Sequence, residues 1–232
     1  MSIAENIRQV REKIAAVAKA AGRDPKEIIL VGASKMNDAA ACREAIAAGI
    51  DALGENRVQE MCRKLEENAY DGAPLHFIGH LQRNKVKQVV GSVSLIQSVG
   101  SPELLRDIDR CAESRGLVQD ILLEVNIGEE EAKSGFAAKD LPTAAEEVKR
   151  LAHVRLRGLM TIPPVETEPH GNFPYFEKVH GLYVDISRSL YDNELEYLSM
   201  GMSGDYEDAI RAGATMVRVG TAIFGARNYG NP

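Results

Sequence analysis

Residues 28–35 read Ile-Ile-Leu-Val-Gly-Ala-Ser-Lys, an apolar run of strand character that gives way to two polar residues where it stops. Taken as Ile28–Ala33, it is the first of eight such runs. The others are Asp51–Leu53, Leu75–Ile78, Leu95–Val99, Asp120–Val125, Val154–Met160, Glu196–Met200 and Met216–Val219. Helical patterns separate them, at Ala39–Ala48, Val58–Leu65, Lys85–Val90, Pro102–Arg115, Leu141–Leu151, Phe176–Leu190 and Tyr206–Ala212, and this alternation predicts a parallel sheet. Eight βα units either close into a barrel or lie open in a doubly wound sheet. The barrel is preferred: 232 residues is close to the roughly 250 usual for that fold, and the turn after Ala33 lacks the G-x-G-x-x-G of an open nucleotide-binding sheet. The expectation is an α/β protein, a single-domain (β/α)8 TIM barrel over residues 1–232. An extra amphipathic N-terminal helix precedes the barrel, with Ile3, Ile7, Val10, Ile14 and Val17 on one face.

Composition agrees with a packed domain. Hydrophobic residues are 44%, charged residues 27% and aromatics 5% with no Trp, so the core must be mainly aliphatic. A net charge of −6 argues against a nucleic-acid binder, and the basic run Arg83-Asn84-Lys85-Val86-Lys87 reads as a solvated helix start. The three cysteines are odd in number and lack C-x-x-C spacing, which suits reduced thiols in the cytoplasm. The N-terminal helix is too charged for a signal segment, and neither secretion nor membrane insertion is expected. His153, His170 and His180 lack ligand spacing, so no metal is assigned. Pro163 to Pro174 reads as a long surface loop that could cover the barrel mouth.

In such a barrel the chemistry sits where strands end, and here those ends are polar and small. They read Ser34-Lys35, Gly54-Glu55-Asn56, Gly79-His80, Ser98, Asn126, Thr161, Gly201-Met202-Ser203-Gly204-Asp205 and Gly220-Thr221. The last two follow strands seven and eight, the usual phosphate position of this fold. Ser203-Gly204-Asp205 and Gly220-Thr221 would offer a hydroxyl and backbone N–H groups at two helix starts. The competing reading is that Ser203 or Asp205 only caps a helix.

Lys35 follows an apolar strand, so its stem would start inside the barrel and its amine reach the mouth. Desolvation there favours the neutral amine that attacks a carbonyl, although most lysines at strand ends are simply solvated. Arg218 alternates with Val217 and Val219, which places it toward the interior. A buried guanidinium needs a partner, either an acid or an acceptor such as a pyridine nitrogen. A pyridine facing arginine stays unprotonated and is a weaker electron sink than one paired with aspartate.

The chain resembles the pyridoxal phosphate homeostasis proteins, which are related to the barrel domain of alanine racemase. The residues that carry the resemblance span nearly the whole sequence: Ala33-Ser34-Lys35, Gly54-Glu55-Asn56-Arg57-Val58-Gln59-Glu60, His76 through Lys85, Lys133-Ser134-Gly135-Phe136, Arg157-Gly158-Leu159-Met160, Leu198 through Asp205 and Val217 through Gly225. The resemblance implies that pyridoxal 5′-phosphate is the cofactor, bound to Lys35 as a Schiff base. It further implies that Ser203, Gly220 and Thr221 hold the phosphate and that Arg218 faces the ring nitrogen. Asn56 and Met202 would line the ring pocket, with His80 beside it. Family members usually follow the Ser-Lys pair with Thr-Lys-Pro, whereas this chain has Met36-Asn37-Asp38 and so lacks one positive charge near the mouth.

The racemase also uses a tyrosine from a C-terminal β-domain, and this chain stops at Pro232 with Tyr229 as the only tyrosine in its tail. Little or no turnover is therefore expected, with a monomer that holds pyridoxal phosphate and passes it to dependent apo-enzymes. Two other functions fit parts of the pattern. One is a pyridoxal-phosphate-dependent amino-acid racemase; the other is a Schiff-base aldolase that would use Lys35 on a sugar phosphate.

Overall fold

The computed structural model describes residues 2–130 and 133–225. Eight strands form a closed barrel in sequence order, with every neighbouring pair parallel. They are β1 (Ile29–Ala33), β2 (Ala52–Glu55), β3 (Leu75–Phe77), β4 (Leu95–Val99), β5 (Gln119–Val125), β6 (Val154–Thr161), β7 (Tyr197–Ser199) and β8 (Met216–Val219). The helices are α1 (Ile3–Ala20), α2 (Ala39–Ala47), α3 (Val58–Glu66), α4 (Val86–Val89), α5 (Pro102–Ser114), α6 (Leu141–Lys149), α7 (Phe173–Leu190), α8 (Tyr206–Arg211) and α9 (Thr221–Phe224). The expected (β/α)8 barrel with an added N-terminal helix is the observed architecture.

Three local readings need correction. Gly54 and Glu55 belong to β2, which runs two residues beyond the expected end at Leu53. Glycine at 54 has a packing reason, because a Cβ there would lie 2.7 Å from Cδ1 of Ile78. The helix expected at Lys85–Val90 is present but shorter, the single turn of α4, with a 3-10 turn at Arg83–Lys85 before it. Pro174 lies in the first turn of α7, where its missing N–H costs nothing, so the Pro-rich loop ends before it.

Side chains alternate across the barrel wall. Val31, Ala52, Leu95, Leu122, Met160 and Met216 form one small cluster inside the barrel, and the larger core lies between the sheet and the helices. Ser2 caps α1 by accepting from the Glu5 N–H at 3.2 Å. The buried stripe Ile7, Val10, Ile14, Val17 and Ala18 then packs α1 on α2, α8 and α9, across the β1–β8 closure. The Asn6 side-chain amide donates to the Ile223 carbonyl at 2.8 Å, and Arg23 donates to the Ile210 and Ala214 carbonyls at 3.0 and 2.7 Å.

A polar column runs through the interior. Arg218 donates to Ser199 Oγ at 2.6 Å, Ser199 donates to Gln97 Oε1 at 2.7 Å, and Gln97 Nε2 donates to His76 Nδ1 at 2.9 Å. This direction of donation leaves the ring proton of neutral His76 on Nε2. Burial holds the His76 pKa down, from 6.5 to about 4.

Unfolding releases His76 to its ordinary value, so the unfolded chain binds the extra proton first as the pH falls. Stability is expected to be complete above about pH 6.5 and to lose about 3 kcal/mol toward pH 4. Urea titrations across that window should show a shallower loss for His76→Gln than for the wild type. A backbone test is Gly158, whose φ is +153° and where a Cβ would lie 1.7 Å from the Tyr197 carbonyl oxygen, so that β6 and β7 would have to part. Gly158→Ala is expected to cost about 3 kcal/mol or more in the same titration.

Candidate functional site

Barrel closure decides which strand ends become neighbours. Across the β1–β8 seam Val31 pairs with Arg218 and Gly32 with Val219. Val31 faces the interior, and by the same alternation so does Ala33; Lys35 follows in the turn just beyond the strand's end. Lys35 is half-buried, in a turn closed by the Asn37 N–H donating to the Ser34 carbonyl at 3.1 Å. Beyond it Met36 adopts a φ of +64°, a conformation that non-glycine residues seldom take without support. A Cβ on Gly220 would sit 3.4 Å from the Ala33 carbonyl oxygen, so the ends of β1 and β8 lie in contact.

Arg218 is 3% exposed and points into the barrel as expected. Its partners are neutral: Ser199 Oγ at 2.6 Å and the Thr161 carbonyl at 2.8 Å. No described carboxylate makes a salt bridge with it. Burial pushes its pKa down to about 10, against weaker pulls from Asp205 and Glu124. The guanidinium therefore remains a cation near pH 7, and it can donate hydrogen bonds but accept none.

Ser203 does not cap the helix that follows it. Its hydroxyl oxygen accepts from the Gly220 N–H at 3.2 Å and the Ala222 N–H at 3.5 Å, across to the start of α9. Asp205 leaves α8 uncapped as well. It accepts instead from the Met202 N–H at 2.6 Å and the Asn172 side chain at 2.8 Å. Both helices are short, six and four residues, so an anion here would be held by a hydroxyl and N–H groups more than by a helix dipole. Thr221 and Ala222 are exposed beside them.

Asn56 and His80 line a cavity of about 530 Å³ together with Glu124, Asn126, Lys133 and Ser134. Oδ1 of Asn56 is buried with no hydrogen-bond partner, the state of an acceptor that a ligand would satisfy. His80 is exposed at the end of β3. A Cβ on Gly79 would come within 2.2 Å of the Asn56 carbonyl oxygen, so glycine lets β3 press against Asn56. Met202 lies elsewhere: it is 39% exposed and lines a second cavity, of about 520 Å³, under residues 162–172. Lys133 borders both cavities, donating to the Pro163 carbonyl at 3.2 Å and pairing with Glu130. Tyr229 lies outside the described residues.

Sequence reasoning missed Glu124. It is 8% exposed, two residues after interior Leu122, and accepts from the Ser134 hydroxyl at 3.0 Å. Burial raises its pKa, against the Ser134 bond and the charges of His80 and Arg218. The available signal was an acid at an inward position of Ile-Leu-Leu-Glu-Val. The mouth thus offers a lysine amine, an arginine with only neutral partners, a hydroxyl beside two N–H groups and an orphaned amide oxygen. Such a donor set fits a phosphorylated heteroaromatic aldehyde.

Comparison with known proteins agrees. The family model described as alanine racemase, N-terminal domain, matches residues 2–228. A curated pyridoxal phosphate homeostasis protein of Pseudomonas aeruginosa is 44% identical over 234 residues, covering 100% of this chain and 98% of that protein. One from Aquifex aeolicus is 42% identical over 229 residues, covering 99% and 100%. The solved structure of PipY from Synechococcus elongatus with PLP bound superposes with a TM-score of 0.83 at 32% identity, over 97% of this chain and 100% of that one. With a closed parallel barrel and full-length identity of this order, the chain belongs to the pyridoxal phosphate homeostasis proteins, within the alanine racemase N-terminal domain family.

Proposed function

We propose that this chain binds pyridoxal 5′-phosphate on Lys35 and serves its homeostasis, holding the cofactor and releasing it to dependent apo-enzymes with little or no turnover. The observation that carries the reading is the β1–β8 seam, which sets Lys35, Arg218, Gly220 and Ser203 at one end of the barrel. The bound cofactor supplies an aldehyde that a neutral amine takes up reversibly. Lys35 would hold that carbon from its half-buried place in the turn after β1. Ser203 and the Gly220 N–H bind the phosphate, with Thr221 beside them, and Asn56 meets the ring substituents. Arg218 donates to the ring nitrogen and keeps its own proton. A ring so paired is a poor electron sink, which supports storage over racemisation.

The names of the relatives support the same reading. Three free cysteines, two of them buried, suit a reducing compartment such as the cytoplasm. Among the described residues no helix is long and apolar enough to cross a membrane. A monomeric single barrel domain completes the proposal.

Purified wild type mixed with pyridoxal phosphate is expected to develop a yellow absorbance band that Lys35→Ala lacks; no band in either protein would overturn the reading. Ser203→Ala removes one charge-assisted hydrogen bond to the phosphate, about 1.5 to 3 kcal/mol, or roughly 10- to 100-fold in Kd. Isothermal titration should find that loss for pyridoxal phosphate and almost none for pyridoxal, which has no phosphate to lose contact with.

A further inference from the structure

Behind the turn that carries Lys35, on the helix side of the barrel wall, lies a charge cluster with no part in the proposed binding of the cofactor. Lys64 on α3 is fully buried, with its side chain 1% exposed. Its ammonium reaches the Ser34 carbonyl at 2.9 Å, Glu55 Oε1 at 2.6 Å and Glu60 Oε1 at 2.8 Å. An ammonium has three protons, and these three acceptors use them all. Lys64 is therefore not a spare amine for an aldehyde.

The cluster grips both neighbours of Lys35. The Ser34 hydroxyl donates to Glu55 Oε1 at 2.6 Å, its N–H donates to the Gly54 carbonyl at 3.0 Å, and its carbonyl accepts from Lys64. The Met36 N–H donates to Glu60 Oε1 at 2.6 Å, which holds Met36 in its positive-φ conformation. Tyr70 adds a third donor to Glu55 Oε1 at 3.0 Å. Burying one ammonium and two carboxylates costs several kcal/mol per ion before their attraction is counted, and an apolar cluster could fill the space more cheaply. What the charges add is direction: each bond ends on Ser34, on Met36 or on a group that holds them.

We propose that Lys64 is a positioning residue for Lys35: with Glu55 and Glu60 it clamps the Ser34–Met36 turn from behind the barrel wall and so fixes where the Lys35 amine meets a carbonyl. This rests on the proposed role of Lys35.

The test compares two ligands, pyridoxal 5′-phosphate, which bonds to Lys35, and pyridoxine 5′-phosphate, an alcohol that cannot. The double variant Lys64→Met/Glu55→Gln removes the ammonium without stranding the Glu55 charge. Glu60→Ala, at the half-buried edge of the cluster, frees the Met36 N–H and one donor of the Lys64 ammonium, and carries the test if the double variant does not fold by circular dichroism. In each folded variant the affinity for pyridoxal phosphate is expected to fall, by about tenfold or more in the double variant and about fivefold in Glu60→Ala. The affinity for pyridoxine phosphate should stay within about twofold of wild type. Equal losses for both ligands, or no loss for either in Glu60→Ala, would overturn the proposal and leave Lys64 a structural ion. Failure of the underlying reading is separately visible, as a wild-type protein whose band does not depend on Lys35.

Discussion

The pairing of β1 with β8 is the constraint on which the rest depends. Four register contacts, from Ile29 with Met216 to Gly32 with Val219, convert a linear series of βα units into a closed ring. Without them Lys35 and Arg218 would stand at opposite edges of an open sheet, 183 positions apart in the chain. With them the end of β1, just before Lys35, lies beside the strand that carries Arg218, and Gly220 rests against Ala33. Helix α1 reinforces the closure from outside, its apolar stripe lying on helices from both sides of the seam. A long-range contact of this kind is entropically expensive to form, and it stabilises only once the intervening strands are paired. The site therefore exists only in the complete barrel.

The eight strands and most helices were legible because apolar runs with polar ends survive any tertiary arrangement. What a local reading missed has one physical origin. Glu55 looked like the end of a strand because a lone carboxylate is costly inside a protein, yet it is 0% exposed within β2. Its compensation comes from Lys64, nine residues on, together with Ser34 and Tyr70, and no window around Glu55 contains that set. Gln97 and Ser199 escaped notice for the same reason, since their bond spans 102 positions. Pro174 was misplaced in the loop because a proline that starts a helix and one that prevents it look alike until the hydrogen bonds are seen.

At the mouth the residue types were legible and their pairings were not. Arg218 could be placed inside by strand alternation alone. The turn of Ser203 toward Gly220, and of Asp205 toward Met202 and Asn172, could not, because both depend on how α8 and α9 lie beside each other. The capping interpretation of Ser203 was open from sequence and is closed by that geometry. Met202 shows the limit of motif reasoning: it follows the right strand, yet it borders the cavity beneath residues 162–172 and not the one that holds Asn56 and His80.

The two buried cations of the β1 region are treated in opposite ways. Burial pulls the Lys64 ammonium toward losing its proton, but Glu55 and Glu60 outweigh it and its pKa is raised. Every donor it has is spent on a fixed acceptor. Arg218 receives no carboxylate in contact, and burial leaves its pKa lowered to about 10. An arginine with five donors, two of them bonded to Ser199 and the Thr161 carbonyl, keeps directional capacity that a ligand can use. A cation neutralised by its own chain can only hold that chain in shape. A cation buried among neutral partners keeps donors unspent, which is what the proposed role of Arg218 requires.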